Sequence, residues 1–220
     1  MAPLIAGLSA DRVRGNLDQV RREITAAGRD WHEVEILAAV KYLPAEEIGV
    51  LADAGIELLG ENRAQDLISR APAYPGRFTW DFIGHLQSRK VRPLLAHVRY
   101  FHSVSSDSVL AQLARHAPPE TEILVEINSA GEPRKGGIAP DQLSAFLERC
   151  PVRVIGLTTM PPRSNDPEVS RPYFAALREL AQDHGLAQLS MGTSQDYVVA
   201  AQEGATIVRL GTRLYAPDAR

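Results

Sequence analysis

The stretch EILAAVKYLPAEE, residues 35–47, joins an apolar run to a lysine and then to the start of a helix. Residues 36–40 are all apolar, which is typical of a strand buried on both faces of a sheet. Lys41 follows without a break, and Pro44 with the acidic pair behind it predicts the first turn of a helix. A buried strand that leads into a helix is the unit from which parallel α/β sheets are built.

The same strand–helix unit recurs along the whole chain. Eight short apolar runs predict strands at residues 35–40, 56–60, 79–83, 100–104, 122–127, 152–157, 188–190 and 206–210. Helical patterns alternate with them at residues 45–54, 62–71, 88–97, 107–116, 140–149, 167–184 and 195–203. Strict alternation over eight strands favours a closed (β/α)8 TIM barrel over an open doubly wound sheet, and no G-x-G-x-x-G motif follows the first strand. We predict an α/β protein with a single domain over residues 1–220.

An extra helix is predicted before the first strand. Ser9 or Asp11 can cap an amphipathic segment that runs to about Ala27, and Gly28 is a natural stop.

Composition narrows the class of protein. The 220 residues carry a net charge of −3, so no strong field draws nucleic acid. No apolar run reaches the roughly 18 residues that a membrane span needs. Cys150 is the one cysteine, which excludes an internal disulfide and argues for a reducing compartment. We therefore expect a cytoplasmic protein that binds neither nucleic acid nor membranes.

In such a barrel, chemistry lies at the carboxyl ends of the strands. Lys41 ends the first strand, where its amine should emerge in the central mouth; a surface lysine whose stem covers apolar residues is the alternative. An amine attacks carbonyl groups only when it is neutral, and apolar walls favour that form. Arg209, inside the apolar last strand, is either a donor to a ligand or part of a structural ion pair.

The last two strands offer a phosphate site beside that amine. Gly211 and Thr212 follow the eighth strand, and residues 190–196, SMGTSQD, are interpreted as the loop after the seventh. Backbone N–H groups in these two loops often bind phosphate in barrels. A lysine at strand one beside a phosphate site at strands seven and eight describes a site for pyridoxal 5′-phosphate (PLP).

Motifs spread over nearly the whole chain carry a family resemblance: AAVKYLP, GIELLGENRAQDL, WDFIGHLQSRKV, FHSVSS, VEINSAGEPRKGGI, GLTTMPP and LSMGTSQDYVVAAQEGATIVRLGT. The chain resembles the pyridoxal phosphate homeostasis proteins, the YggS-like family. That resemblance implies a barrel of the alanine-racemase N-terminal kind (fold type III of PLP proteins), with PLP held as an internal aldimine, a Schiff base, on Lys41. It also implies that Arg209 faces the pyridine nitrogen. The other cofactor-binding residues implied are Asn62 and His85 at the ring, and Ser190, Ser194, Gly211 and Thr212 around the phosphate.

Three further positions bear on the resemblance. Lys135, in GEPRKGG, matches a basic family position in the loop after strand five, and no role is assigned to it. Val40 stands where the family usually has a small hydroxylated residue, and Thr158 where methionine is common. We expect neither to touch the lysine or the phosphate site.

Two functions of different kinds fit these residues: a PLP carrier in vitamin B6 homeostasis, and a PLP-dependent racemase or decarboxylase. The chain stops soon after its eighth strand, so we expect no second domain that would supply a tyrosine base. An arginine that keeps its proton at the pyridine nitrogen also makes the ring a weaker electron sink. A class I aldolase is disfavoured, because its lysine usually comes from a middle strand. We expect a monomeric, non-catalytic carrier of PLP and other B6 vitamers, with no metal site and with PLP-dependent apoenzymes as recipients.

Overall fold

Eight parallel strands pair in chain order and close into a barrel within residues 5–133 and 135–217, the part of the chain that this computed structural model describes. The strands are β1 (Glu35–Ala39), β2 (Leu58–Glu61), β3 (Thr79–Phe82), β4 (Tyr100–Val104), β5 (Glu122–Ile127), β6 (Arg153–Thr159), β7 (Gln188–Thr193) and β8 (Ile207–Leu210). The predicted (β/α)8 fold is confirmed. A single domain over residues 1–220 extends beyond the described residues and stays a prediction.

Helices alternate with the strands on the outside of the barrel. The α-helices of the described residues are α1 (Ala10–Ala26), α2 (Ile48–Asp53), α3 (Ala64–Arg70), α4 (Val91–Leu94), α5 (Asp107–His116), α6 (Leu143–Arg149), α7 (Arg171–Asp183), α8 (Tyr197–Gln202) and α9 (Thr212–Tyr215). Short 3₁₀ turns are found at Trp31–Glu33, Ala45–Glu47, Ala71–Ala73, Ser88–Lys90, Pro140–Gln142 and Pro167–Ser170. None of these helices is long and apolar enough to cross a membrane.

The extra N-terminal helix is confirmed as α1. Val13, Leu17, Val20 and Ile24 are buried and recur at helical spacing, so one stripe of the helix packs on the barrel. Gly28 follows the helix with a φ of 85°, a conformation that glycine adopts without strain, and so ends it where the sequence predicts.

Strand β1 closes the barrel because it pairs on both sides. Ala38 pairs with Leu59 of β2, and Leu37 pairs with Arg209 of β8. Side chains alternate along a strand, so Leu37 and Ala39 point to the same side as Arg209, the barrel interior. Lys41 follows two residues after β1 and therefore lies at the mouth of the barrel, near the end of β8.

Two strands are longer than the sequence predicts. Strand β6 extends to Thr159 and β7 to Thr193, so the prediction that residues 190–193 belong to a loop is wrong. Their polar side chains are satisfied inside the barrel, where the Thr159 hydroxyl donates to the Ile127 carbonyl at 2.9 Å. An inward-pointing polar residue near the end of a strand is easily mistaken for the start of a loop, because a strand buried on both faces shows no alternation of polar and apolar residues that would identify it.

Candidate cofactor site

A cavity of about 1030 Å³ opens at the carboxyl ends of the strands. Seven of the eight predicted site residues line it: Lys41, Asn62, His85, Ser194, Arg209, Gly211 and Thr212. Ser190 does not line it; it lies fully buried within β7, and its hydroxyl contacts other residues of the barrel. Pockets for small molecules span about 300–1,000 Å³, so the cavity has room for a cofactor of the size of PLP.

Lys41 lies in a tight turn at the end of β1. The Val40 N–H donates to the Gly60 carbonyl, and the Leu43 N–H donates back to the Val40 carbonyl, both at 3.0 Å. The Lys41 Nζ atom is 4.8 Å from the centroid of the Tyr42 ring and has no hydrogen-bond acceptor among the described residues. The cavity therefore contains a primary amine that faces an aromatic ring and is not engaged in an ion pair.

Hydrogen bonds to strands β6 and β7, on the side away from the mouth, hold the Arg209 guanidinium in place. Its Nη1 group donates to the Thr158 hydroxyl at 2.5 Å and to the carbonyl and hydroxyl oxygens of Ser190, both at 2.8 Å. Its Nη2 group donates to the Thr159 carbonyl at 2.9 Å and contacts the Met160 sulfur at 3.0 Å. The Nε–H has no acceptor among the described residues, so it is the donor left for a ligand.

These contacts give Thr158 a part in the site that the sequence does not predict. Its hydroxyl accepts from Arg209 and donates to the Ser190 carbonyl at 2.8 Å. Thr158 thus ties the arginine to the two strands beside it, although it stands where the family commonly has methionine.

The charge of Arg209 survives its burial. Burial lowers the pKa of Arg209 to about 10, and the Glu126 and Asp196 carboxylates oppose that shift. The guanidinium is therefore protonated near neutral pH, which agrees with the sequence-based expectation of a group that keeps its proton.

A chain of buried polar groups continues below Ser190. The Ser190 hydroxyl is 2.8 Å from His102 Nδ1, and His102 Nε2 is 3.0 Å from Asp81, which also accepts from Arg99 at 2.7 Å. Burial lowers the pKa of His102 although Asp81 opposes the shift. Burial raises the pKa of Asp81, but its hydrogen bonds to His102 and Arg99 outweigh that and hold the pKa below its usual range. A neutral His102 then donates to Asp81 and accepts from Ser190, which leaves the Ser190 oxygen free to accept from Arg209.

Sequence reasoning misses both His102 and Asp81. The only signal is a polar letter inside each of two apolar strands, in YFHSV and TWDF. A histidine or aspartate is rarely buried without a hydrogen-bond or ion-pair partner, so each of these letters indicates a buried polar network.

The turn after β7 and the start of α9 form a cradle of backbone N–H groups. Asp196 accepts from both the N–H (2.7 Å) and the hydroxyl (3.0 Å) of Thr193, which closes the turn. Ser194 Oγ accepts from the N–H groups of Gly211 at 3.1 Å and Arg213 at 3.2 Å, which joins the turn to the end of β8.

Three N–H groups in this cradle are left for a ligand. Those of Ser194, Gln195 and Thr212 have no acceptor among the described residues, and all three residues line the cavity. Converging backbone N–H groups with hydroxyls beside them bind an oxyanion such as phosphate. Gln195 is the member that the sequence analysis does not name, because its contribution is a backbone group.

The opposite wall is formed by the ends of β2, β3 and β5. The buried Asn62 Oδ1 atom has no hydrogen-bond partner among the described residues. Buried polar atoms are nearly always hydrogen-bonded, so this oxygen is available to accept from a ligand. The backbone at Gly84 packs closely against the backbone of Asn62: a Cβ atom at position 84 would lie 1.9 Å from the Asn62 carbonyl oxygen. His85 is exposed at the rim.

Glu126 is a further carboxylate in the cavity that the sequence analysis does not single out. Burial raises its pKa, while Arg209 and His85 oppose the shift. No donor among the described residues bonds to its carboxyl group, so these through-space interactions alone oppose the effect of burial.

Lys135 joins two loops at the mouth. Its Nζ atom is 2.8 Å from a Glu132 carboxylate oxygen and donates to the carbonyls of Met160 at 3.2 Å and Pro161 at 3.1 Å. Lys135 thus links the segment after β5 to the proline-rich segment after β6, and it lines the cavity.

Fold and site together define a class of protein: an eight-stranded parallel barrel with a lysine amine at the end of the first strand and an oxyanion cradle at the last two. No protein-family model matches the chain. A curated relative from Aquifex aeolicus, a "Pyridoxal phosphate homeostasis protein", is 36% identical over 221 residues, which cover 94% of this chain and 97% of the relative. The chain therefore belongs to the pyridoxal phosphate homeostasis protein family.

Solved structures agree with this assignment. The PipY protein of Synechococcus elongatus, solved with PLP bound, superposes with a TM-score of 0.78 at 28% identity, covering 93% of this chain and all of PipY. The alanine racemase of Corynebacterium glutamicum superposes with a TM-score of 0.72 at 13% identity, covering 97% of this chain and 62% of the racemase. The second likeness concerns the fold alone and confirms the predicted alanine-racemase kind of barrel.

Proposed function

We propose that this protein binds PLP covalently through Lys41 and takes part in the intracellular homeostasis of that cofactor, without substantial turnover of its own. The observation that carries the proposal is that one cavity holds a lysine amine and three backbone N–H groups for which the described part of the chain offers no partner. PLP supplies an aldehyde that reacts with a primary amine, and its phosphate needs N–H donors.

The donor set fits PLP at each of its polar groups. The phosphate would lie against the N–H groups of Ser194, Gln195 and Thr212, and the Nε–H of Arg209 would face the pyridine nitrogen. Asn62 and His85 would line the ring. Ser190, which the resemblance places near the phosphate, would act from below by holding Arg209 in place.

Two features support a carrier rather than an enzyme. Arg209 keeps its proton at neutral pH, so the pyridine nitrogen would stay unprotonated and the ring would withdraw electrons weakly. Three tyrosines follow strand ends and could supply a base: Tyr42, Tyr197 and Tyr215. The Tyr197 hydroxyl donates to Glu23, and the buried Tyr215 hydroxyl donates to the Ala39 carbonyl. Only Tyr42 of these three lines the cavity.

The remaining parts of the proposal concern partners and place. We propose a monomer that delivers PLP to PLP-dependent apoenzymes, and a reducing compartment such as the cytoplasm, in keeping with its one cysteine.

The test is a transfer assay with the purified holoprotein. We expect it to activate a PLP-dependent apoenzyme while alanine, serine and their enantiomers stay unchanged in chiral analysis. Sustained racemisation or decarboxylation that disappears in Lys41→Ala would contradict the carrier and favour an enzyme.

Thr212→Ala is expected to weaken PLP binding by a factor of about 10 to 150, because a charge-assisted hydrogen bond contributes about 1.5–3 kcal/mol. The Thr212 side chain is exposed and forms no hydrogen bond among the described residues, so the fold should be unaffected. Affinities for PLP and for pyridoxal, which lacks the phosphate, are measured side by side.

Thr212→Ser keeps the hydroxyl and is the matched control, expected to bind PLP as the wild type does. An equal loss of PLP and pyridoxal affinity in Thr212→Ala would count against a phosphate role.

A further inference from the structure

A buried ion pair outside the cavity lies directly behind the turn that carries Lys41. The Arg70 Nη1 atom is 2.6 Å from a carboxylate oxygen of Glu61, with the Arg70 side chain 13% exposed and the Glu61 side chain 0% exposed. Neither residue lines the cavity, so neither is available to a ligand there.

The Arg70 guanidinium also holds both ends of the Lys41 turn. Nη1 donates to the Val40 carbonyl at 3.2 Å, and Nη2 donates to the Leu43 carbonyl at 3.0 Å. These carbonyls bracket Lys41 and Tyr42. A planar, forked guanidinium can bind two carbonyls and a carboxylate at once, which a neutral side chain of similar size cannot.

Glu61 links the same guanidinium to the next strand of the barrel. Its second carboxylate oxygen accepts from the N–H of Asn62 at 2.7 Å and of Arg63 at 3.1 Å. The ion pair therefore connects the ends of β1 and β2. Asn62 lines the cavity, so this connection lies beside the candidate cofactor site. Taking two charges out of water costs about as much free energy as their attraction returns, so a buried pair adds little net stability, while loss of one partner leaves the other charge uncompensated.

We propose that Arg70, neutralised by Glu61, is a positioning residue that presents the Lys41 amine to the ligand's carbonyl carbon. The proposal rests on the proposed function, since it assumes that Lys41 forms the covalent bond. Covalent attachment needs the amine within reach of one atom, whereas the phosphate cradle, built from β7 and β8, holds its ligand without the turn. Loss of Arg70 should therefore weaken attachment at Lys41 and leave cradle binding intact.

Two ligands separate these effects. PLP reports covalent attachment through its visible absorption band, and pyridoxine 5′-phosphate, which has an alcohol in place of the aldehyde, reports non-covalent binding alone. For Arg70→Gln we expect the equilibrium constant for covalent attachment to fall about tenfold or more, because two charge-assisted contacts to the turn are lost. Affinity for pyridoxine 5′-phosphate should change less than about twofold, since no cradle contact is altered.

Two more variants complete the test. Arg70→Lys keeps the charge opposite Glu61 but replaces the fork with a single ammonium that cannot reach both carbonyls, so it should fold and restore only part of the attachment. The double variant Arg70→Met with Glu61→Gln leaves no unpaired buried charge, so it should fold even if Arg70→Gln does not. It still lacks the donors to Val40 and Leu43 and should show the same selective loss as Arg70→Gln.

Each result has one meaning. The decisive variant is Arg70→Gln or, if that does not fold, the double variant. If its affinities for PLP and pyridoxine 5′-phosphate fall equally, or if neither falls, the positioning role is overturned. Wild-type protein that fails to attach PLP at Lys41 would instead defeat the proposed function itself.

Discussion

Lys41→Ala should abolish covalent PLP attachment while the barrel stays folded. The side chain places an amine in the cavity at the end of β1, and it makes no hydrogen bond among the described residues that the fold would lose. The visible absorption band should vanish, and borohydride reduction of the wild-type holoprotein should fix the cofactor on the peptide that contains Lys41. The phosphate cradle should still retain some PLP without the covalent bond.

Lys135→Ala is the matched control, because Lys135 is the other lysine that lines the cavity among the described residues. It is already paired with Glu132, so its removal should leave the absorption band in place. Reduction that labels Lys135 or another lysine in place of Lys41 would refute the assignment.

Arg209→Gln is expected to lower the free energy of unfolding by about 2–4 kcal/mol, since charged hydrogen bonds are lost and buried acceptors are left unpaired. The Thr159 carbonyl loses the Arg209 donor, the Ser190 carbonyl keeps the Thr158 hydroxyl alone of its two side-chain donors, and the chain from Ser190 through His102 to Asp81 loses its upper end. Urea unfolding of the ligand-free protein measures the effect.

Arg178→Gln provides the comparison. Arg178 pairs with Glu203 near the surface, at 32% exposure, so its loss should cost about 1 kcal/mol or less. If the two variants were equally stable, the Arg209 network would not contribute to stability as the contacts indicate.

Much of this fold can be predicted from the sequence because its signals are local. Each strand is a short apolar run and each helix a periodic one, and their strict alternation leaves few topologies. Lys41 and Arg209 are detectable for the same reason, as charged residues next to or within apolar strands. Helix α5 is predicted at Asp107–His116, as observed, because its apolar stripe and polar ends agree.

What sequence reasoning misses depends on contacts between distant strands. The hydroxyls of Ser190 and Thr158 accept hydrogen bonds from Arg209 inside the barrel. Their polarity therefore indicates a buried network, although in the sequence it resembles the polarity of a loop. Gln195 contributes a backbone N–H, which leaves no trace in the identity of its side chain. Arg70 has an ordinary position at the end of a helix, and only the fold shows that it reaches the turn of Lys41.

The pairing of β1 with β8 would give a ligand held at both strands a mechanical role. The amine follows the first strand and the cradle follows the last two, so the two halves of the site meet at the seam where β8 pairs with β1. Closing a long chain segment has an entropic cost that grows with the logarithm of its length. A molecule bonded to Lys41 and held by Thr212 would span that seam, and so would act as a detachable cross-link that closes a chain segment running around nearly the whole barrel.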